Sequence, residues 1–250
     1  MTDIDYCIER LAAANGGKRF ATASKEQELR ALMNVTMPVD LEEEYYERQG
    51  RVLRSILAKK RIVRSADIPE IGSGIALWRG DITLLATDAI VNAGNSRLLG
   101  CFAPLHLCID NAIHSFAGLE VRRDLMAIMA AQGHEEPRGS CKVTKGYNLP
   151  SKYIFHTVGP VYSGIAMDIV DLASCYRACL DKAEEMGLES IAFCSISTGV
   201  FGFPIERASE IAVKTILSEL SDKKKVNKVI FNVFSERDES VYRDTLSRLL

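Results

Sequence analysis

The sequence predicts an α/β fold in which helices cover both faces of a mainly parallel sheet and a helical N-terminal extension precedes it. From Ile75 onward, short runs rich in β-branched and aromatic residues alternate with longer segments at helical spacing, which is typical of βαβ crossovers. Before residue 70, apolar residues recur at helical spacing alone. We therefore predict a helical extension over residues 1–70 and an α/β domain over residues 71–250.

Composition and charge exclude several classes of partner. The chain has 250 residues, 47% of them apolar, and a formal net charge of −2, so neither a polyanion-binding surface nor a nucleic-acid partner is expected. No apolar run is long enough to span a bilayer, and the first residues, Met1–Tyr6, are acidic, so no membrane partner is expected. Seven cysteines, an odd number, predict reduced thiols in a cytoplasmic protein.

Three helices are predicted in the extension. The third has an entry signal, because Pro38 is followed by Asp40 as the predicted N-cap and by Glu43 three residues later. The extension is expected to pack on the next domain, and Pro69 with the segment Gly72–Gly74 marks the turn into it. The apolar positions of the three helices lie within Ile4–Leu11, Leu29–Met33 and Leu41–Lys60.

The following domain is predicted to alternate strands and helices. The strands are Ile75–Trp78, Ala89–Asn92, Tyr153–Val158, Ser190–Ile196 and Lys228–Phe234. The helices are Cys108–Gln132, Met167–Met186, Ile205–Leu220 and Glu239–Leu250. In such sheets ligands bind outside the carboxyl ends of the strands, so we expect the site in the loops that follow them.

A candidate metal site lies on one of these loops. Cys101, His106 and Cys108 offer two thiolates and an imidazole within eight residues, and three protein ligands leave one tetrahedral position of a zinc ion open. His114 follows six residues after Cys108, and we interpret it as a satisfied helix residue rather than a fourth ligand. A structural zinc, or no metal, stays open as an alternative. The remaining cysteines are interpreted as buried apolar residues: Cys7, Cys141, Cys175, Cys179 and Cys194.

A second candidate site is the glycine-containing segment Ser195–Pro204, which follows a predicted strand and precedes a helix. A loop of this kind can direct several backbone N–H groups at a phosphate, and the helix dipole adds to the attraction. Many strand-to-helix connections carry glycines, so this segment alone does not identify a ligand.

Four motifs in succession resemble the signatures of macrodomains, which are α/β modules that bind ADP-ribose: Gly80–Thr83, Ile90–Ser96, Ile109–His114 and Ser197–Pro204. Where common macrodomains carry a run of glycines, this chain has the segment from Gly100 to Cys108. That departure is similar to the microbial zinc-containing protein-ADP-ribose hydrolases, which also have a helical N-terminal extension. The resemblance implies a macrodomain-like three-layer α/β/α sandwich with a mostly parallel mixed sheet. It also implies one Zn²⁺ per chain, with ADP-ribose as ligand and product.

The resemblance also implies how the chain contacts ADP-ribose. Asp81 would accept a hydrogen bond from the adenine amine beside the Ile82 backbone, although a turn or N-cap role is the alternative. Phe234 would stack on adenine, although an aromatic residue at a strand end is often part of the core. The diphosphate would contact backbone N–H groups of Ser197, Thr198, Gly199, Val200 and Phe201. The remaining implied contacts are Asn92, Asn95, Cys108, Ile109 and Asp110.

At the distal ribose, we expect Asn95 and Asp110 to be catalytic. The amide of Asn95 would fix the sugar through its hydroxyls, and Asp110 would orient or deprotonate a water, or hold the hydroxyl next to the reacting carbon. A zinc ion held by Cys101, His106 and Cys108 would act as the Lewis acid. The sequence does not rank the three contributions.

These expectations predict a hydrolase that removes mono-ADP-ribose from modified protein side chains. The alternatives are a reader that binds ADP-ribose without cleavage and a hydrolase of O-acetyl-ADP-ribose. An open metal position argues against a pure reader, and the extension, which could shape a docking rim, favours a protein substrate. The resemblance suggests a bacterial or fungal setting and, as substrate, a lipoyl-carrier-like protein modified by a sirtuin.

Overall fold

The centre of the fold is a seven-stranded sheet whose five middle strands run parallel, as the computed structural model of residues 1–250 describes it. Its order is β2-β3-β9-β8-β5-β7-β6, and only the two edge strands, β2 and β6, are antiparallel to their neighbours. A separate parallel pair joins β1 to β4. The strands are β1 Val63–Arg64, β2 Glu70–Gly72, β3 Ile75–Arg79, β4 Leu85–Ala86, β5 Ala89–Ala93, β6 Cys141–Lys145, β7 Tyr153–Thr157, β8 Ser190–Phe193 and β9 Lys228–Val233.

Helices cover both faces of this sheet. The connections from β7 to β8 and from β8 to β9 move along the sheet in one direction, whereas the connection from β5 to β7 moves in the other. Since parallel crossovers are right-handed, α6 and α7 lie on one face, with α8 packed against α7, and α4 and α5 lie on the other. The helices are α1 Asp3–Ala14, α2 Lys25–Val35, α3 Glu43–Leu57, α4 Ile109–Ala117, α5 Leu119–Gln132, α6 Ala166–Glu185, α7 Ile205–Leu220 and α8 Glu236–Leu249.

The predicted α/β class and the N-terminal helices are therefore confirmed, but both edge strands were missed. Strand β2 enters a hairpin through Ser73 and Gly74, whose φ angles of 52° and 73° suit a two-residue turn between antiparallel strands. The segment Gly72–Gly74, which we predicted as a turn into the α/β domain, forms the hairpin turn between β2 and β3. Strand β6 carries Lys142 and Lys145, and such charged positions are typical of an edge strand and obscure the apolar pattern.

Several predicted helix limits were wrong. The single helix expected over Cys108–Gln132 is two helices, because Gly118 adopts a φ of 107° and a Cβ there would lie 2.3 Å from an oxygen of Glu120. Asp40 is not an N-cap: it has a φ of 59°, and α3 begins after Glu42 without a side-chain cap. The last helix begins at Glu236, where Ser235 accepts a hydrogen bond from the Asp238 amide.

The extension packs through its own apolar cluster, which comes from α1, α2 and α3 and includes Leu119 of α5. Polar contacts reinforce the junction, since Gln49 accepts a hydrogen bond from the Leu119 amide at 3.0 Å. The extension therefore contacts α5 through Leu119, while the division of the chain at residue 70 stays a prediction. None of the eight helices combines the length and apolar composition that a bilayer span requires.

Arg122 on α5 is the largest fully buried side chain, with 1% of its surface exposed. Its guanidinium donates to the carbonyl oxygens of Leu99 at 2.7 Å, Met33 at 2.9 Å and Thr36 at 2.5 Å. Burial lowers the pKa of Arg122 to about 10, which leaves it charged at neutral pH. A buried charge requires such hydrogen-bond partners, and here they come from the extension and from the chain beyond β5.

His156 on β7 is buried and uncharged. Asn92 of β5 lies 3.2 Å from its Nδ1 and donates to it, so Nε2 carries the proton and donates to Thr144 of β6 at 2.9 Å. Burial lowers the pKa of His156 to about 3. The three side chains connect three neighbouring strands through one polar column.

The low pKa of His156 predicts a pH-dependent stability. The pKa of His156 rises toward 6.5 on unfolding. Below pH 6.5 the unfolded chain therefore binds a proton that the folded protein does not, and the free energy of unfolding decreases as the pH falls toward 3. Between about pH 7.5 and about pH 5.5 this side chain should account for about 1.4 kcal/mol of lost unfolding free energy.

Urea unfolding of the wild type and of His156→Gln at both pH values measures this effect. The glutamine side chain retains hydrogen-bonding groups but does not titrate, so the pH-dependent loss should be smaller in the variant by that amount. Because every other titrating group is present in both proteins, identical pH dependence would contradict the prediction.

Candidate active site

A cavity of about 590 Å³ opens at the carboxyl edge of the sheet, where the loops after β5, β8 and β9 converge. This is the position that an open parallel sheet offers to ligands, and the volume suits a ligand of nucleotide size. Two segments form much of its wall: the cysteine–histidine loop, residues 100–108, and the serine–glycine loop, residues 195–202.

The cysteine–histidine loop brings its three candidate ligands together. The ligand atoms of Cys101, His106 and Cys108 all lie within 4.8 Å of one another, and Cys101 Sγ is 3.5 Å from His106 Nδ1. Zn–S and Zn–N bonds at a tetrahedral angle separate sulfur from nitrogen by about 3.6 Å, so the donor set fits zinc. All three residues line the cavity. A cation here would therefore have one coordination position facing the cavity.

Cys108 is also the N-cap of helix α4. Its Sγ accepts a hydrogen bond from the Asn111 amide at 3.4 Å, as an N-cap side chain does. Burial raises the pKa of the Cys108 thiol to about 11, because a half-buried thiolate is poorly solvated. Zinc binds thiolates, so a cation at this sulfur has to displace its proton.

His114 does not join the ligand cluster, but its interpretation as a satisfied helix residue was wrong. The side chain is buried, and neither ring nitrogen has a hydrogen-bond partner. Its Nε2 lies 3.4 Å from Asp110 Oδ1, one turn earlier on α4. Burial holds the pKa of His114 well below its usual range, so the ring is neutral.

Asp110 presents a buried carboxyl group to the cavity. Its Oδ1 accepts a hydrogen bond from Asn92 Nδ2 at 2.8 Å. Burial raises the pKa of Asp110 to about 6, and the Asn92 hydrogen bond and the Arg122 charge offset only part of that rise. A carboxyl group with a pKa near neutral is suited to accept or donate a proton. Asn92 lies behind this wall and does not line the cavity.

Asn95 lines the cavity and also shapes the loop that follows β5. Its Oδ1 accepts from the Arg97 amide at 3.0 Å, and its Nδ2 donates to the Gly100 carbonyl at 3.2 Å. The amide retains one N–H and one oxygen lone pair for a ligand. Asn95 is therefore held in one orientation next to the cysteine–histidine loop.

The serine–glycine loop follows β8, which lies between β5 and β9 in the sheet, and it forms a second wall of the cavity. Strand β8 ends at Phe193, three residues earlier than predicted, which leaves Ser195 and Ser197 in the loop. The hydroxyl oxygens of both serines are buried and have no hydrogen-bond partner, so the groups that this loop can direct at an anion in the cavity are its backbone N–H groups. Ser197 has a φ of 65°, and a Cβ at Gly159 would lie 2.1 Å from its Oγ, so only glycine permits this approach. All five predicted residues of this loop line the cavity: Ser197, Thr198, Gly199, Val200 and Phe201.

The far end of the cavity is formed by the residues after β9. Phe234 lines it with 79% of its surface exposed, which is unusual for a core residue and suits a stacking platform. Asn232 and Asp238 also line this end and were not predicted. Asn232 could have been found from the sequence, because it is a polar residue within a largely apolar strand.

Two predicted adenine contacts do not line the cavity. Asp81 caps a short 3₁₀ helix, where its Oδ1 accepts from the Thr83 amide at 3.0 Å and the Thr83 hydroxyl at 2.6 Å. This is the N-cap role that the sequence left open. Ile82 is buried in the core of the domain. Their contacts with adenine stay predictions. Ile109 does line the cavity, beside Cys108 and Asp110.

Comparison with known proteins agrees with this geometry. Residues 91–212 match the Macro domain family. The chain is 48% identical over 225 residues to a protein-ADP-ribose hydrolase of Treponema medium, covering 88% of this chain and 86% of the relative. It is 45% identical over 223 residues to the protein of that name in Staphylococcus aureus, covering 88% of this chain and 84% of the relative.

Solved structures extend the comparison. A mutant macrodomain of Oceanobacillus iheyensis with ADPR has a TM-score of 0.67 and 38% sequence identity. The match covers 73% of this chain and 97% of the Oceanobacillus chain. A Trypanosoma brucei macrodomain in complex with ADP-ribose has a TM-score of 0.65 and 32% identity, covering 96% of this chain and 94% of its own. The second match spans most of the helical extension as well. The chain therefore belongs to the macrodomain family, and its relatives at 45–48% identity are protein-ADP-ribose hydrolases.

Proposed function

We propose that this protein is a hydrolase that removes mono-ADP-ribose from modified protein side chains and that a zinc ion at Cys101, His106 and Cys108 takes part. The observation that carries the proposal is that the Cys-His-Cys cluster, Asn95 and Asp110 line one end of a single cavity. The names of the relatives support hydrolysis of an ADP-ribosylated protein.

ADP-ribose would lie along the cavity in three parts. Its adenine would stack on exposed Phe234, with Asp81 and Ile82 as further predicted contacts. Its diphosphate would lie on the serine–glycine loop, where the backbone N–H groups of residues 197–201 are the predicted donors. Its distal ribose would then reach the end formed by Asn95 and the cysteine–histidine loop, with Asn92 behind Asp110.

The chemistry at the distal ribose would be shared among three groups. Bound zinc supplies a Lewis acid for a ribose hydroxyl or a water. Asn95, fixed by Arg97 and Gly100, would hold the sugar hydroxyls in one orientation. Asp110, whose pKa is raised to about 6, would accept a proton from the attacking water or hold the neighbouring hydroxyl.

The finer identity of the substrate is also a proposal. The family resemblance suggests a lipoyl-carrier-like protein that a sirtuin has modified, in the cytoplasm of a microbe. Release from such a carrier, compared with release from an unrelated ADP-ribosylated protein, measures this preference.

Release of ADP-ribose should depend on the metal ligands and on Asn95. Zinc-replete protein should release ADP-ribose from a mono-ADP-ribosylated protein, and Cys108→Ala should lower the rate more than about 100-fold, because it removes a ligand rather than a supporting contact. Asn95→Ala should abolish release through loss of sugar orientation. Elemental analysis of untagged protein, paired with the release assay, measures zinc content and rate together.

Cys141→Ala is the matched control for this experiment, because Cys141 is also a half-buried cysteine but lies on β6 outside the cavity. It should retain both zinc and release. Full release by metal-free wild type would refute the zinc role. Tight ADP-ribose binding without turnover would identify a reader, and turnover of O-acetyl-ADP-ribose alone would identify the small-molecule hydrolase.

Phe234 should govern affinity for ADP-ribose. Phe234→Ala should weaken binding by about 5- to 160-fold, because stacking on a base contributes about 1–3 kcal/mol. The rate at saturating substrate should change little, since Phe234 lies at the opposite end from Asn95. Calorimetric titration of ADP-ribose measures the change, with Phe234→Trp as the control that keeps a stacking surface. Wild-type affinity in Phe234→Ala would show that this side chain does not bind adenine.

A further inference from the structure

The N-terminal extension reaches the back of the cysteine–histidine loop through Asn34 on α2. Asn34 is 1% exposed, and its Oδ1 accepts a hydrogen bond from the Leu105 amide at 2.9 Å. Its Nδ2 donates to the hydroxyl of Ser115 on α4 at 2.9 Å. The side-chain amide of Asn34 thus connects the extension, the cysteine–histidine loop and helix α4, whose N-cap is Cys108.

Leu105 needs such support, because it precedes His106 and has a φ of 56°. A left-handed conformation is unfavourable for a branched residue and persists only where surrounding contacts enforce it. The hydrogen bond from its amide to Asn34 is such a contact. It therefore fixes the Pro104–Leu105 peptide, directly before the left-handed residue that leads into His106.

Arg30, one turn before Asn34, makes a second connection. Its Nη2 donates to Asn111 Oδ1 at 2.8 Å and to the His106 carbonyl at 3.4 Å. Asn111 in turn donates through Nδ2 to the Ala103 carbonyl at 3.0 Å. The extension thereby contacts the main chain of the loop at two places between Cys101 and Cys108.

We propose that Asn34, assisted by Arg30, is a positioning residue that presets the cysteine–histidine loop for its cation. The extension then has a defined task at the site, besides packing on the domain. This inference rests on the proposed zinc site. Supporting hydrogen bonds of this kind typically raise metal affinity by about 10- to 100-fold.

The test compares Asn34→Leu with Thr36→Val. Leucine has the same number of side-chain heavy atoms and the same branch point as asparagine, although it is bulkier, and it removes both hydrogen bonds. Thr36 is equally buried and accepts a side-chain hydrogen bond from Asn15 within the extension at 2.7 Å, without a side-chain contact to the loop. Zn²⁺ affinity, measured by competition with a chelator, should fall by about 10- to 100-fold in Asn34→Leu and by less than about 3-fold in Thr36→Val.

Cobalt substitution supplies a readout that general destabilisation does not change. In the folded Asn34→Leu protein, the visible ligand-field bands of Co²⁺ should shift, because the His106 ring is no longer held in place. Arg30→Met, which keeps the side-chain stem and removes the donors, is the second variant if Asn34→Leu folds poorly. It should show the same changes to a smaller extent.

The outcomes separate the two proposals. A wild type that binds no Zn²⁺ refutes the zinc site itself and, with it, the role of Asn34. The positioning role alone is refuted if the wild type binds Zn²⁺ and the Asn34→Leu and Arg30→Met proteins keep the wild-type affinity and cobalt spectrum. Equal losses in Asn34→Leu and Thr36→Val would also refute it, since the effect would then follow stability.

Discussion

The guanidinium of Arg122 is the interaction on which the arrangement of the molecule depends. Its three carbonyl partners belong to the C-terminal end of α2, the residue after it, and the chain that leads into the cysteine–histidine loop. A buried cation without these acceptors would be strongly unfavourable, so extension, loop and α5 have to assemble together. Displacing the extension would leave this buried guanidinium without two of its three acceptors, the carbonyls of Met33 and Thr36.

Much of the fold was predictable because buried parallel strands have a distinctive composition. The centre of β5, from Ala89 to Asn92, has almost no exposed surface, so its pattern is continuous and apolar. The edge strand β6 faces solvent and carries lysines, and its pattern is lost. The break at Gly118 was not predicted because the apolar spacing continues through it. A Cβ at Gly118 would collide with Glu120 and also with Gln49 of the extension, and Gln49 is distant in sequence.

The candidate site was predictable where its chemistry is local. One short loop carries Cys101, His106 and Cys108, and the serine–glycine loop follows a single strand. Residue types and their spacing were therefore enough to predict both segments. The supporting contacts are not local. Asn34, His114, His156 and Asn232 reach the region from other elements, and only the folded topology brings them there. The pKa of Asp110 is raised by burial in the folded protein, and burial of this side chain could not be predicted from the neighbouring residues in the sequence.

The double role of Cys108 has a thermodynamic consequence. The same sulfur that faces the cavity accepts the Asn111 amide proton at the start of α4. A cation that draws electron density from this sulfur weakens it as an acceptor, while the thiolate it creates strengthens the acceptor. If a cation occupies the loop, the balance of these effects would couple its binding to fraying of the first helical turn, and amide hydrogen exchange at Asn111 would report whether the cation is bound.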